Sequence, residues 1–173
     1  MGPSGIASSV LVGGLAGALG TAGMDALLYV RYRRGGGAQS PLAWEFSAGV
    51  SKWDDASAPG LVGKRLLEGV LGREVPDRWA RATQNIVHWA TGMGWGVPFG
   101  AFVGSAKRQS WIWGLDLGPL AWLAGYVVLP AAKIYKPIWD YDPKTLAKDL
   151  SAHLVYGATT GVAFAALASG LSS

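Results

Sequence analysis

The chain has 173 residues, half of them apolar and 15% charged, with no cysteine and a formal net charge of +4; soluble domains carry about 25% charged residues. The length fits one domain, 1–173, and the lack of cysteine excludes disulfides, thiolate metal centres and cysteine nucleophiles. The positive charge does not mark a nucleic-acid binder, because the basic residues flank apolar segments instead of forming a stripe.

In chain order, four stretches reach the roughly 20 apolar residues that cross a hydrocarbon core: 6–30, 82–106, 110–132 and 150–172. The first holds Asp25 as its only charge, the third only Asp116, and the second and fourth none. Arg31, Arg33 and Arg34 follow the first span like a stop-transfer signal, and no basic stretch precedes Ile6, so cleavage as a signal peptide is not expected. In the loop 31–81, Ser40-Pro41 predicts the N-cap and first turn of a helix carrying Trp44, Phe46, Val50 and Trp53. A second helix over about 61–71 sets Leu61, Val62, Leu66, Leu67 and Val70 against Lys64, Arg65 and Glu68. Both read as amphipathic helices on the membrane surface, with a partner protein as the alternative they would dock. The loop between the second and third spans is a tight hairpin holding Lys107 and Arg108. After the third span, Asp142-Pro143 predicts the start of the last helix. A cation site of Asp140, Asp142 and Asp149 is disfavoured, since Lys144 and Lys148 sit among them. Asp116 is expected to cap against Lys107 or Arg108 or to reach water.

Thirteen of the fifteen Lys and Arg residues lie in loops one and three. The positive-inside rule therefore places those loops in the cytoplasm and both termini outside. The fold class expected is all-α: a four-transmembrane-helix bundle with short amphipathic interfacial helices.

A four-residue spacing recurs in every span. It reads Gly13, Gly17, Thr21, Asp25 in the first and His88, Gly92, Gly96, Gly100 in the second. In the third it reads Gly114, Gly118, Trp122, Tyr126, and in the fourth His153, Gly157, Gly161, Ala165. Residues four apart share a helix face, and small residues there let membrane helices pack closely. Trp122 is expected to fill a groove that facing glycines leave. The matched ridges suggest duplication of a two-helix unit. Each ridge ends in a polar residue about 8–10 Å inside the basic boundary, at 1.5 Å per residue. Asp25, His88, Tyr126 and His153 are thus expected to form one intramembrane layer. Four roles suit it: hydrogen bonds that fix helix register, a proton or ion relay, bis-His haem ligation in space left by the glycines, and a lipid-headgroup, quinone or pigment pocket. Hydrolytic motifs such as Gly-x-Ser-x-Gly and His-Glu-x-x-His are absent.

The order HWATGMGWGVPFG, then a Trp- and Gly-rich span ending YVVLPAAK, then AHLVYGATTG, resembles the small four-helix bacterial inner-membrane proteins of the YagU-like group. The resemblance covers about 85–166, and the His-Leu-Val-Tyr-Gly piece at 153–157 is its most specific part. It implies an inner-membrane location and a link to acid or envelope stress, and it carries over no catalytic residue. The long basic loop 31–81 departs from that group's pattern. The reading is a non-enzymatic bacterial inner-membrane protein without a cofactor. Its partners would be the lipid bilayer and other membrane subunits or further copies of itself, not nucleic acid. The alternatives are a proton- or ion-conducting protein and a haem- or pigment-binding subunit. A cysteine introduced at Ser4 or Ser172 should react in intact cells with an impermeant thiol reagent, and one at Ser57 should not; labelling at Ser57 overturns the orientation.

Overall fold

Helix starts are set where a short polar side chain precedes proline, because the side chain accepts an orphan N–H and proline presets φ for the first turn. Ser40 accepts from the Ala43 N–H at 3.4 Å ahead of Pro41. Asp142 accepts from the Thr145 N–H at 3.0 Å and the Thr145 hydroxyl at 2.6 Å ahead of Pro143; those bonds hold its carboxyl below the ordinary 3.8. The structure, a computed structural model, describes residues 3–106 and 110–170, and every regular element among them is helical. The helices are α1 (Pro3–Arg34), α2 (Pro41–Glu45), α3 (Ala58–Leu71), α4 (Ala80–Ala106), α5 (Ser110–Ala131) and α6 (Pro143–Gly170), with short 3-10 turns at Trp53–Asp55, Asp77–Trp79 and Ile138–Asp140.

Three segments, Gly5–Arg34, Trp111–Ala131 and Pro143–Gly170, are long and apolar enough to cross a membrane. Helix α4 has 27 residues but falls outside that set, its first half being diluted by Gln84, Asn85, His88 and Thr91. The four expected spans are therefore three by length and composition.

Helix α1 is the centre of the array and packs against both α4 and α6, while α5 packs chiefly against α6. The glycine ridges meet in pairs. A Cβ at Gly13 would fall on the Gly96 carbonyl and lie 2.7 Å from the Gly100 Cα; one at Gly96 would lie 2.9 Å from the Gly17 Cα. On the other pair, a Cβ at Gly114 would fall on the Gly157 carbonyl and lie 3.0 Å from the Gly161 Cα, and one at Gly118 would lie 2.9 Å from the His153 carbonyl carbon. Backbone thus touches backbone at both crossings. A third crossing, α1 on α6, uses residues outside the ridges: Gly20 against Thr160 and Tyr156, and Gly23 against Thr159. Val12, Ala16, Phe99, Val103, Leu117, Tyr156 and Phe164 fill the space between the crossings.

Several sequence boundaries move. Helix α2 stops at Glu45, and Ser47 adopts φ 50, so Phe46, Val50 and Trp53 leave the predicted helix. Trp53 is buried instead with Val75 and Ala80, its Nε1–H donating to the Val75 carbonyl at 2.7 Å. Helix α3 begins at Ala58, three residues early, and seats Gly60 and Gly63 on Gln84, Thr83 and Val87 of α4. One of its faces is therefore taken by protein. Helix α6 begins seven residues ahead of the apolar stretch. The hairpin with Lys107 and Arg108 lies outside the described residues, as does Ser172.

Gly94 offers a control for the ridges, since a Cβ there meets nothing within 4 Å. Gly96→Ala should lower the detergent unfolding free energy by about 1–3 kcal/mol through overpacking, and Gly94→Ala should be neutral or stabilising, alanine being the better helix former. Equal unfolding midpoints for the two variants would show that the crossing is not an interface.

Candidate functional site

Beyond each glycine crossing, towards the end where Arg31, Arg81 and Lys148 lie, the ridges give way to larger polar side chains. On the α1–α4 crossing, Thr21 donates its hydroxyl to its own Gly17 carbonyl at 3.0 Å. One turn on, Asp25 is 4% exposed, and its Oδ2 stands 2.7 Å from His88 Nε2. A buried carboxylate this close to an imidazole has its desolvation offset by a charge-assisted bond.

A third member comes from α2. The Glu45 carboxyl lies close enough to Asp25 and His88 to feel the charge of both, and Glu45 Oε1 is buried with no hydrogen-bond partner among the described residues. Helix α2 is held there from both neighbouring helices. Trp44 packs on Tyr29 and Tyr32 of α1 with ring centroids 5.5 and 6.0 Å apart. From α4, Arg81 Nε and Asn85 Nδ2 donate to the Phe46 carbonyl at 2.9 and 3.2 Å. A negative charge nearby disfavours the charged form of a carboxyl group. Burial first, then the negative charge of Asp25, push Glu45 from 4.5 up to about 7, against an opposing pull from His88.

On the α5–α6 crossing the polar group is different. His153 Nδ1 lies 3.1 Å from the carbonyl of Asp149, one turn earlier on the same helix, and 3.7 Å from its carboxylate. The Tyr126 hydroxyl lies near the charge of Asp149, and the Tyr126 ring meets Trp122, Tyr135 and Tyr141 at 5.1–5.4 Å. Burial, and then the negative charge of Asp149, raise the Tyr135 hydroxyl above its ordinary 10.0.

The single expected layer therefore divides in two: Asp25 pairs with His88, whereas Tyr126 and His153 gather about Asp149. The cause is register. Gly17 meets Gly92 and Gly96 as Gly114 meets Gly157 and Gly161, so counted along the ridges within each pair Trp122 corresponds to Asp25 and Tyr126 to Tyr29. Tyr126 therefore lies one turn further along its ridge from the glycine crossing than Asp25 does. The space beside the glycines, which a porphyrin between His88 and His153 would need, is taken by the facing backbones and side chains.

The sequence reading missed Glu45, whose place over Asp25 depends on how α2 folds back. It also missed Tyr156, which sits inside the His-Leu-Val-Tyr-Gly piece and donates its hydroxyl from α6 to the Gly92 carbonyl of α4 at 2.7 Å. Arg31 is a third omission: it joins α1 to α6 through the Lys148 carbonyl at 2.9 Å and Ser151 Oγ at 2.8 Å. No group of three His, Asp or Glu suited to a metal ion occurs among the described residues. Asp116 is exposed on α5.

The Glu45 contact makes the docking of α2 pH-dependent. Its carboxyl takes up a proton more readily in the docked state (about 7) than when released (4.5). The docked state therefore binds more protons between these values, and docking weakens as pH rises through that window. After correction for intrinsic rates, hydrogen exchange at residues 41–50 should be slower at pH 5.5 than at pH 8. Glu45→Gln should make the two equal, and pH-independent protection in the unmodified protein would refute the contact.

Compared with protein-family models, with curated proteins and with solved structures, the chain finds no match.

Proposed function

We propose that the chain is a non-enzymatic integral membrane protein, a small accessory or scaffold subunit that packs against another membrane helix, or a second copy of itself, through α5. The observation that carries this reading is Asp116. Helix α5 has α6 as its main neighbour, and its outward stripe of Ile112, Leu120, Leu123 and Val127 is exposed, with Asp116 in its midst. Six residues into the helix, Asp116 is about 9 Å from its start. A charge within a lipid-facing apolar stripe costs up to about 3 kcal/mol, which a donor on a partner helix would offset.

The distribution of charge and the resemblance of 85–166 to the YagU-like group support a bacterial inner-membrane protein. In this reading α4 is a fourth span beside α1, loops 31–81 and 133–149 are cytoplasmic, and both termini are outside. The subunit reading is preferred to a proton relay because the Asp25–His88–Glu45 cluster lacks a continuation. Beyond Asp25 the ridge offers Thr21, bonded to its own backbone, and then glycines in contact with glycines. The cluster is better suited to fixing register.

In native membranes, a single cysteine at Leu123 should form a disulfide-linked product with a cysteine-bearing copy, or a photo-crosslink with another membrane chain. Asp116→Leu should reduce that product several-fold, and the same probe at Val162, exposed on α6, should give none. Equal yields at the two positions would discard the α5 interface.

A further inference from the structure

Helices α3 and α4 diverge from their contact at Gly63 and leave a groove of about 630 Å³ lined by Leu66, Leu67, Trp79, Ile86 and Val87, with Arg78 as its only charged residue. The volume falls in the range of about 300–1,000 Å³ typical of small-ligand sites. Leu66 and Ile86 are 63% and 67% exposed, so at these two residues the lining is apolar surface left open by the described residues. Two features point to what covers it. Ile86 is the first of a row on α4, continued at Ala90, Met93 and Val97, that is exposed and apolar; the groove thus opens onto the hydrocarbon-facing side of that helix. At its other end stand Trp79, of the residue type found at headgroup level, and Arg78. Arg78 has no ion-pair partner among the described residues. The nearby acids are engaged elsewhere: Glu68 faces Lys64 at 3.8 Å, and Asp77 accepts from the Trp53 N–H at 3.1 Å.

We infer that this groove is a binding site for an anionic phospholipid, with one acyl chain lying along Leu66, Ile86 and Val87 and the headgroup on Arg78. A guanidinium pairs with a phosphate in bidentate fashion, and its surroundings favour a lipid of net negative charge: Arg78 is the one charge on the groove lining, and loop 31–81 carries nine cations against six acids. The inference rests on α4 lying in the bilayer and is independent of the α5 interface. An amphipathic helix of another protein is the rival occupant, and the basic mouth does not complement its apolar face.

The test is native mass spectrometry of the full chain in detergent, titrated with phosphatidylglycerol and phosphatidylcholine of identical acyl chains. The unmodified protein should retain phosphatidylglycerol in about fivefold preference, the scale of one cation at an anionic surface. Arg78→Gln should bring the two lipids to parity, and Lys144→Gln, remote in loop three, should leave the preference intact. Leu66→Trp, which fills the groove from an exposed position, should reduce retention of both. Equal retention by the unmodified protein, retention of neither lipid, or a preference that survives Arg78→Gln would overturn the site. So would protein-specific photo-crosslinks from position 66 in native membranes that added phosphatidylglycerol does not displace.

Discussion

What the rest of the molecule depends on is the contact of backbone with backbone at the two glycine crossings. Lipid tails are as apolar as leucine, so burying leucine between helices gains little in a bilayer, and close approach with its many dispersion contacts has to hold helices together. At Gly13, Gly17, Gly96 and Gly100 on one pair, and at Gly114, Gly118 and Gly157 on the other, the facing helix occupies the place where a Cβ would stand. Contact this close has one good register. Asp25 then meets His88 because their helices are already locked two turns away, and Tyr156, packed on Gly20 of α1, reaches the Gly92 carbonyl.

Where the glycines end, the helices carry side chains of ordinary size, and the two crossings close differently despite their common register. One is closed by Asp25 and His88, with α2 folded over them and Glu45 completing the group. The other has Trp122 where its ridge leaves the glycines, with Tyr126, Tyr135 and Tyr141 packed together beyond it. Two crossings alike in their glycine contacts thus end in unlike groups, carboxyl groups and an imidazole on one side and packed aromatic rings on the other. Arg31, bonded to the backbone and side chain of α6, ties the two halves together at the same end.

The outward surface follows from the same economy of contact. With α1 holding both α4 and α6, α5 keeps most of its circumference free, and α3 covers only the first turns of α4. The faces left over are apolar, and each carries one charge that matters: Asp116 on α5 and Arg78 beside α4. Opposite signs at these two places suit unlike neighbours, a helix with a donor in one case and an anionic lipid in the other.

Much of this was legible in the residues themselves. The glycine spacing, the Ser-Pro and Asp-Pro helix starts and the apolar stretches are local or periodic features, and periodicity passes directly into helix faces. They marked the small-residue face of each long helix and showed that His88 and His153 end matched ridges, but not which helix each face would meet. Spacing along one helix does not say where its partner is locked, so it could not tell that Tyr126 packs with Tyr135 and Tyr141 while Asp25 meets His88. Nor does it say where a loop folds back. Glu45 looks like any polar residue of a short surface helix until Trp44 docks on Tyr29 and Tyr32 and carries it to Asp25. The sequence by itself determined the helices and their small-residue faces, because those follow from each residue's neighbours in the chain. Only the tertiary structure decided which carboxyl groups meet, because an ångström-scale contact between residues far apart in the chain depends on the summed offsets of every crossing between them.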